Sequence, residues 1–283
     1  MTCFRELADD HTSGATELIH RLLAVCENHI IGGEYEDLRR GLALLENEQR
    51  SMPSFHAVLQ ILKTDLLPLI REEGDNAEAM KYLLSLSEIL EESGRSVSRL
   101  FTDLFTTPQR VVTLSRSGTV IQALQALHER SLLAHLTVLE SRPMNEGVKT
   151  IREFNGKAEA TLFVDAAVGV AVQDADCATV GADCISADGF LLNKTGTYPL
   201  ALCCRERGVP LYVLCDSLKF SPQLREAIEV EDSPASDVVI KRAKDTFTIW
   251  NRYFEWTPID LVKAFVTERG VFTPDSISRL AGD

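Results

Sequence analysis

The N-terminal part of the chain carries apolar side chains at helical spacing. Between residues 5 and 105, leucine-rich stripes are interrupted at Gly32-Gly33, Ser51-Met52-Pro53 and Gly74-Asp75-Asn76. Apolar residues three and four apart form one face of a helix, and glycine, proline or short polar residues end it. The pattern predicts a helical N-terminal domain over residues 1–105, with about four or five helices.

From residue 106 the pattern changes to short β-branched runs that alternate with helical segments. Five runs can be marked: VVTLS ending at Ser115, LTVLES ending at Ser141, TLFVD ending at Asp165, CATVGAD ending at Asp183, and LYVLCD ending at Asp216. Continuous apolar runs are typical of strands that helices cover on both faces. The pattern predicts an open parallel sheet over residues 106–283, and hence an α/β fold.

Hydroxyl, carboxylate or cationic side chains stand at the end of every one of these runs. In parallel α/β sheets, ligands bind in the crevice beyond the carboxyl ends of the strands. The side chains are therefore expected to converge on one site; the alternative is that they only mark where buried strands reach water. The set comprises Ser115, Ser117, Glu140, Ser141, Arg142, Asp165, Asp183 and Asp216.

The stretch from Val180 to Thr197, VGADCISADGFLLNKTGT, has the composition of an anion site. Asn193 and Lys194 precede a helix-like segment, TGTYPLALCCRER. The first turn of a helix has N–H groups without partners, and the helix dipole attracts anions there. This order predicts a ligand that carries a phosphate; the alternative is an ordinary helix start with Lys194 in solvent.

Composition and charge narrow the class of protein. The hydrophobic content of 45% suits a globular protein, and the net charge of -13 argues against a surface that binds nucleic acid or an anionic membrane. No apolar run approaches the about 20 residues of a membrane span. The start, MTCFRELADDH, lacks a secretory layout, so we expect a cytoplasmic protein without a membrane partner.

Several common sites are not expected from the motifs. The seven cysteines include no CxxC pair and are expected to be buried thiols, and the six histidines have no metal-ligand spacing. No metal is therefore predicted. No GxGxxG follows the first run, so a dinucleotide cofactor is not expected, and no other cofactor is predicted.

The motifs taken together resemble one known family. VVTLSRSGTV, ESRP followed by a glycine, VDAAVG, VGAD, NKTGT, and FEWTP with VTERG occur in this order. They resemble the family that contains the α, β and δ subunits of translation initiation factor 2B, the ribose-1,5-bisphosphate isomerases and the methylthioribose-1-phosphate isomerases. The resemblance implies a helical domain followed by a Rossmann-like parallel-sheet domain, with a sugar-phosphate groove between them.

The resemblance also implies roles for individual residues. Asp183 matches the catalytic aspartate of the isomerases. In the N-terminal phosphate-binding turn, Ser13 stands where the isomerases usually have an arginine. Arg116, Glu140 and Arg142 at the strand ends join the ligand-binding set. The positions that match phosphate contacts of the family are Gly14, Ala15, Arg50, Ser117, Asn193, Lys194 and Lys219.

One departure concerns the chemistry of the family. The isomerases resemble one another in a Thr-His-Cys segment, whose cysteine works with the aspartate, whereas this chain has Thr113-Leu114-Ser115. A thiol can cycle its proton near neutral pH, but an alkyl hydroxyl is too weak an acid to do so unaided. Cys184 beside Asp183 is an alternative thiol, but it points differently along the loop.

Two functions from different classes follow. The first is a regulatory, initiation factor 2B-like protein that binds a phosphorylated sugar or nucleotide and signals to a protein partner. The second is an enzyme, an aldose-1-phosphate to ketose isomerase in which Asp183 and Ser115 are catalytic. Ser115 favours the first. In either case the aromatic segment around Trp250, Tyr253, Phe254 and Trp256 predicts core packing or a subunit contact in a homodimer or larger homo-oligomer.

Overall fold

A computed structural model describes residues 1–10, 13–46, 52–71, 76–230, 232–240 and 246–277. Within these ranges the chain forms two compact units, Met1–Ser93 and Gly94–Asp283. The division falls inside a long helix, α5 (Ala77–Thr102). The domain limits of 1–105 and 106–283 stay a prediction.

Unit 1 is helical, as its apolar stripes predict. Leu18, Leu22, Leu38 and Leu42 are fully buried on the inner faces of its helices. These helices are α1 (Thr2–Ala8), α2 (Ala15–Ile31), α3 (Tyr35–Leu45), α4 (Pro53–Ile61) with a π turn at Leu62–Leu66 and a 3₁₀ turn at Leu67–Leu69, and the first part of α5.

Unit 2 contains two sheets whose strands are numbered together along the chain. The larger sheet has seven strands in the order β10-β9-β7-β4-β1-β2-β3, and the smaller has three in the order β5-β6-β8. The strands are β1 (Gln109–Leu114), β2 (Leu133–Leu139), β3 (Ala160–Phe163), β4 (Cys177–Val180), β5 (Cys184–Ile185), β6 (Phe190–Lys194), β7 (Leu211–Leu214), β8 (Phe254–Pro258), β9 (Ala264–Thr267) and β10 (Gly270–Phe272).

The larger sheet has the doubly wound order. All of its neighbouring strands are parallel except β9 and β10. Taken in chain order, the parallel strands have the arrangement 3-2-1-4-5-6 of a Rossmann fold, in which the connections reverse direction between the first and fourth strands. Strands β1 and β4 therefore flank the switch point, where such folds bind ligands.

Short helices connect the strands of unit 2. The α-helices are α6 (Gly118–Glu129), α7 (Glu146–Glu153), α8 (Val168–Ala171), α9 (Thr197–Arg207) and α10 (Pro274–Ile277). Single 3₁₀ turns lie at Asp165–Ala167, Ser217–Lys219, Arg225–Ala227, Ala235–Asp237 and Ile259–Leu261.

Most strands of the larger sheet are buried on both faces, as continuous apolar runs predict. Val111 and Leu136 pack into one core with Phe101 of α5, whereas Leu114 packs into the core that contains Leu200 of α9. Because successive side chains of a strand point to opposite faces, one apolar run serves both cores. The exceptions are the two edge strands, β3 and β10, where Leu162 and Val271 are exposed.

The smaller sheet differs from the sequence-based prediction. The sequence analysis marks no strand between Asp183 and the start of α9, but Phe190–Lys194 forms strand β6, which pairs with β5 and β8 in antiparallel fashion. Asn193 and Lys194 thus end a strand whose side chains are buried. The pairing of Lys194 with Phe254 joins residues that are distant in the sequence, which local patterns do not reveal.

The aromatic C-terminal segment is divided between core and surface. Tyr253 is buried, whereas Trp250 is 71% exposed. Phe254 and Trp256 are half-buried and pack on the small core of Cys184, Leu192 and Ile228. None of the helices in the described ranges is long and apolar enough to cross a membrane.

Candidate functional site

The switch point of the larger sheet brings Ser117 against Gly181. Ser117 is the N-cap of α6, and its Oγ accepts a hydrogen bond from the Val120 N–H at 3.4 Å. Gly181 follows β4, and a Cβ at this position would lie 2.6 Å from Ser117 Oγ. Only glycine therefore lets the loop after β4 come this close to the start of α6.

The N-terminus of α6 is open. Within the described part of the chain, the backbone N–H groups of Gly118 and Thr119 have no hydrogen-bond partner. A Cβ on Gly118 would meet no atom within 4 Å. This helix start therefore has both unpaired donors and free space beside it.

Asp183 is a buried carboxyl group within reach of the charges of two lysines. Its backbone N–H donates to the Leu192 carbonyl at 2.9 Å, which fixes the residue between β4 and β5. Burial raises the pKa of Asp183 to about 6, and the positive charges of Lys219 and Lys194 partly oppose this rise in the pKa. Lys194 and Lys219 are themselves buried. The site thus holds two ammonium groups and a carboxyl group that can change charge near neutral pH.

Lys194 makes a close ion pair inside the protein. Its Nζ lies 2.5 Å from Glu146 Oε1, and the two side chains are only 6% and 11% exposed. The Tyr253 ring covers the ammonium group at 4.8 Å from the ring centroid. The Tyr253 hydroxyl donates to Asp237 Oδ2 at 2.5 Å, and its pKa is raised by burial and by this carboxylate.

Ser115 lies in the left-handed region of backbone space, with φ 59°. Its N–H donates to Ser141 Oγ at 2.7 Å, and its carbonyl accepts from Thr150 Oγ1 at 2.7 Å. Asp165 in turn accepts hydrogen bonds from the N–H groups of Ser141 and Arg142, at 2.8 and 2.7 Å. The residues that follow β1, β2 and β3 are therefore joined to one another.

The other strand-end residues lie nearer the surface. Arg116 pairs with Glu153 at 3.0 Å, and Arg142 donates from Nη2 to the Val238 carbonyl at 3.1 Å. Glu140 is half-buried, and its backbone bonds Phe163 and Gly147. The structure thus gives Arg116 and Arg142 partners of their own on the surface of unit 2.

The start of α9, which the sequence predicts as the anion site, is filled by a carboxylate of the protein. Glu255 Oε1 accepts hydrogen bonds from the N–H groups of Gly196 at 2.7 Å and Tyr198 at 2.9 Å. Thr197 Oγ1 donates to the Lys194 carbonyl and accepts from Asn193 Nδ2. These groups are therefore occupied within the protein and do not face an open site.

The remaining predicted residues belong to unit 1. Gly14 is the N-cap of α2, and Ala15 is the buried first residue of this helix. Ser13, which precedes them, donates hydrogen bonds from its N–H and hydroxyl to Asp10. Arg50 lies outside the described residues.

Comparison with known proteins places the chain in a family. Residues 2–274 match the Initiation factor 2 subunit family. The chain belongs to this family. The match covers both compact units, in agreement with the resemblance of the sequence motifs.

Relatives of the chain in the Initiation factor 2 subunit family are named for different functions. An eIF-2B subunit 2-like protein of Pyrococcus horikoshii is 33% identical over 190 residues, 65% of each chain. A ribose 1,5-bisphosphate isomerase of Archaeoglobus fulgidus is 31% identical over 220 residues, 70% of each chain. The chain thus spans about two thirds of the length of these relatives. The crystal structure of the eIF-2B translation initiation factor of P. horikoshii OT3 has a TM-score of 0.75 and 25% identity, and the match covers 96% of both chains.

The sequence analysis did not predict a site role for three residues, Glu146, Glu255 and Tyr253. Glu146 lies just after the ESRP motif, and this position is the sequence feature that could have drawn attention to it. Its partner Lys194 is 48 residues away, so no local pattern indicates the pairing. Glu255 lies in the quoted FEWTP motif and caps α9 from 57 residues away. For Tyr253, only a core or subunit role was expected. In the described ranges, no group of three or more His, Cys, Asp or Glu side chains is placed to hold a metal ion.

Proposed function

We propose that the protein binds a phosphorylated sugar or nucleotide at the carboxyl ends of the parallel strands and acts as a regulatory, initiation factor 2B-like protein. The observation that carries the proposal is the buried set of Lys194, Lys219 and Asp183. Burying two ammonium groups costs free energy that the fold itself does not require. Buried charges beside a group whose pKa is shifted, as that of Asp183 is, are typical of functional sites. Two cations also suit the negative charge of a phosphate.

The open start of α6 supports the same location. Ser117 lies at the switch point beside Gly181, together with the N–H groups of Gly118 and Thr119, which have no partner among the described residues. Backbone N–H groups at a helix N-terminus bind phosphate well because the helix dipole adds to their hydrogen bonds. The switch point is also where doubly wound sheets bind their ligands.

The regulatory role is favoured over catalysis because no reactive thiol is available near Asp183 in the described part of the chain. Ser115 has a hydroxyl where the isomerases are expected to have a thiol. Cys184 is fully buried, and burial together with the Asp183 charge raises its pKa to about 12. The pKa of buried Cys215 is also raised far above its usual value by burial. Neither thiol is suited to exchange protons with a substrate near neutral pH.

Isomerisation of an aldose 1-phosphate is the second candidate, and the state of Asp183 favours it. A carboxyl group with a pKa of about 6 is well matched to acid-base catalysis at neutral pH. A second proton-transfer group is needed in this case, and Ser115 is the candidate. The same Asp183 equally suits a sensor, in which it accepts hydrogen bonds from sugar hydroxyls.

One experiment separates these two functions. A panel of ribose and methylthioribose phosphates is followed by NMR for loss of the aldose signal and gain of the ketose, with thermal shift on the same samples. We expect thermal stabilisation without conversion. Conversion that disappears in Asp183→Asn would establish the isomerase instead. If the panel neither stabilises the protein nor reacts, phosphorylated sugars are not its ligands.

We also propose that the protein is a homodimer or larger homo-oligomer that acts on a protein partner. Ile240, Phe247 and Trp250 are 82%, 50% and 71% exposed, which is unusual for large apolar side chains so close in the sequence. Sedimentation at micromolar concentration is expected to give at least the dimer mass, and Trp250→Asp to reduce it. Ile89→Asp, at an exposed apolar position of α5, is the control. A monomer mass for the wild type would contradict this proposal.

A further inference from the structure

The cation proposed to bind phosphate is already paired with an anion of the protein. We propose that Glu146 is an internal competitor of the ligand: its carboxylate occupies Lys194, and the pair must open before a phosphate can bind there. This inference rests on the proposed phosphate site. It adds a property of that site, namely that its affinity for anions is set by a residue of the chain itself.

The contact between the two side chains is close and enclosed. Lys194 Nζ and Glu146 Oε1 are 2.5 Å apart, and an ammonium group and a carboxylate in such close contact form a charge-assisted hydrogen bond. The Tyr253 ring lies over the same ammonium group, and Tyr253 is itself held by Asp237 and Met144. A phosphate that approaches Lys194 therefore meets a carboxylate in the position it would take.

The backbone holds Glu146 in this place. Glu146 is the first residue of α7, and Gly147 follows it. A Cβ on Gly147 would lie 1.9 Å from the Leu139 carbonyl oxygen, and the Gly147 N–H donates to the Glu140 carbonyl at 3.1 Å. The start of α7 is thus packed directly on the end of β2. Because this backbone cannot withdraw, the pair opens through a change of side-chain rotamer.

The second oxygen of Glu146 has no partner in the described part of the chain that could hold the carboxylate once the pair opens. Oε2 is buried and has no hydrogen-bond partner among the residues that the structure describes. When the ion pair opens, Glu146 loses its hydrogen bond to Lys194, and a buried carboxylate without partners is costly. The free energy needed to open the pair therefore weakens the binding of any anion to Lys194.

The variant Glu146→Gln tests the proposal because it keeps the shape of the side chain and removes its charge. Isothermal titration is done with sulfate, which stays a dianion over the working pH range, with ribose 5-phosphate, and with uncharged ribose. We expect sulfate and ribose 5-phosphate to bind about tenfold more tightly to Glu146→Gln than to the wild type. Ribose, which has no phosphate to compete for Lys194, should not gain.

Two further variants complete the design. Glu146→Asp keeps the charge but shortens the side chain by one methylene, so its sulfate affinity should lie between those of the wild type and Glu146→Gln. Glu206→Gln removes an exposed carboxylate of α9 and should leave sulfate affinity unchanged. A Glu146→Asp protein also keeps the test possible if the glutamine variant does not fold.

The outcomes separate the inference from the function on which it rests. Sulfate affinity that is unchanged or weaker in both Glu146 variants would overturn the competitor role. A gain for sulfate and ribose 5-phosphate that is matched by an equal gain for ribose would overturn it as well. A gain for sulfate alone, with no binding of ribose 5-phosphate to any variant, would support the competitor role and remove the proposed sugar-phosphate function.

Discussion

Two helices of unit 2 begin near the carboxyl ends of the strands, and they differ in what occupies their N-termini. The start of α9 is closed, since Glu255 accepts hydrogen bonds from two of its N–H groups. The start of α6 is open at Gly118, beside Ser117 and Gly181. A sequence with glycine, threonine and lysine at a helix start therefore does not by itself indicate an anion site, because a distant carboxylate can fill it.

Under the proposed function, the buried lysines and the start of α6 recognise the charge of the ligand, and the start of α9 does not. Four variants test this assignment. They are arranged from the largest expected effect to the smallest.

Lys194→Ala should have the largest effect. We expect affinity for ribose 5-phosphate to fall about 100-fold, and the free energy of unfolding to fall by about 3–5 kcal/mol, because Glu146 is left buried without its partner. Isothermal titration and urea denaturation measure the two effects. Lys149→Ala, which removes an exposed lysine of α7, is the control. If the affinity of Lys194→Ala for ribose 5-phosphate stays within threefold of the wild type, Lys194 does not take part in ligand binding.

Gly181→Ala tests the open start of α6. The added methyl group would lie 2.6 Å from Ser117 Oγ, so Ser117 must move. We expect about tenfold weaker ligand binding and a loss of about 1–3 kcal/mol in the free energy of unfolding. Gly169→Ala in α8 is the matched control, since the nearest atom to its Cβ would be Cys203 Sγ at 4.0 Å. Equal behaviour of the two variants would mean that the position of Ser117 does not matter.

Asp183→Asn tests the buried carboxyl group of the site through the pH dependence of protein stability. The folded protein holds the Asp183 proton up to a pKa of about 6, whereas the unfolded chain releases it near 3.8. Wild-type stability should therefore decrease as the pH rises through this interval, since the folded state binds more protons there. The asparagine variant should lack this decrease and be about 1–3 kcal/mol more stable than the wild type at pH 7.5.

Thermal denaturation from pH 4 to pH 8 measures this difference. Parallel pH profiles for wild type and Asp183→Asn would show that the carboxyl group is not shifted. Glu206→Gln serves as the control because its carboxylate is exposed.

Glu255→Gln should have the smallest effect. The glutamine oxygen still accepts a hydrogen bond at the α9 start but no longer brings a charge to the helix dipole, so we expect a loss of about 0.5–1 kcal/mol in stability. Ligand affinity should stay within twofold of the wild type. Glu206→Gln in the last turn of α9 should not destabilise, because a carboxylate is unfavourable at that end. If Glu255→Gln binds phosphate markedly more tightly than the wild type, the anion site lies at the start of α9 after all.

The sequence is a good guide to the parts of this fold that depend on local patterns. The helices of unit 1 follow from leucine spacing, and the parallel strands of unit 2 follow from continuous apolar runs such as that of β4. Both signals arise because a buried face must be apolar at the period of its own element. The smaller sheet was missed because β5 has only two residues and β6 depends on pairing with β8.

The candidate site is less accessible to sequence analysis for a related reason. Asp183, Lys194 and Lys219 could be named from motifs, but the carboxylates that contact the site could not. Glu146 and Lys194 are 48 residues apart, and Glu255 reaches the Gly196 N–H across 59 residues. Such contacts depend on how the elements pack, so a carboxylate without a local motif gives no sign of its partner.

The backbone around Ser115 is held without help from its own side chain. Ser141 and Thr150 bind its N–H and carbonyl groups and keep its unusual conformation. An exchange of this serine for a residue of the same shape leaves these backbone hydrogen bonds in place. Over evolutionary time, a family with this arrangement can lose or regain a reactive group by the exchange of a single atom, sulfur for oxygen, while the rest of the scaffold is inherited unchanged.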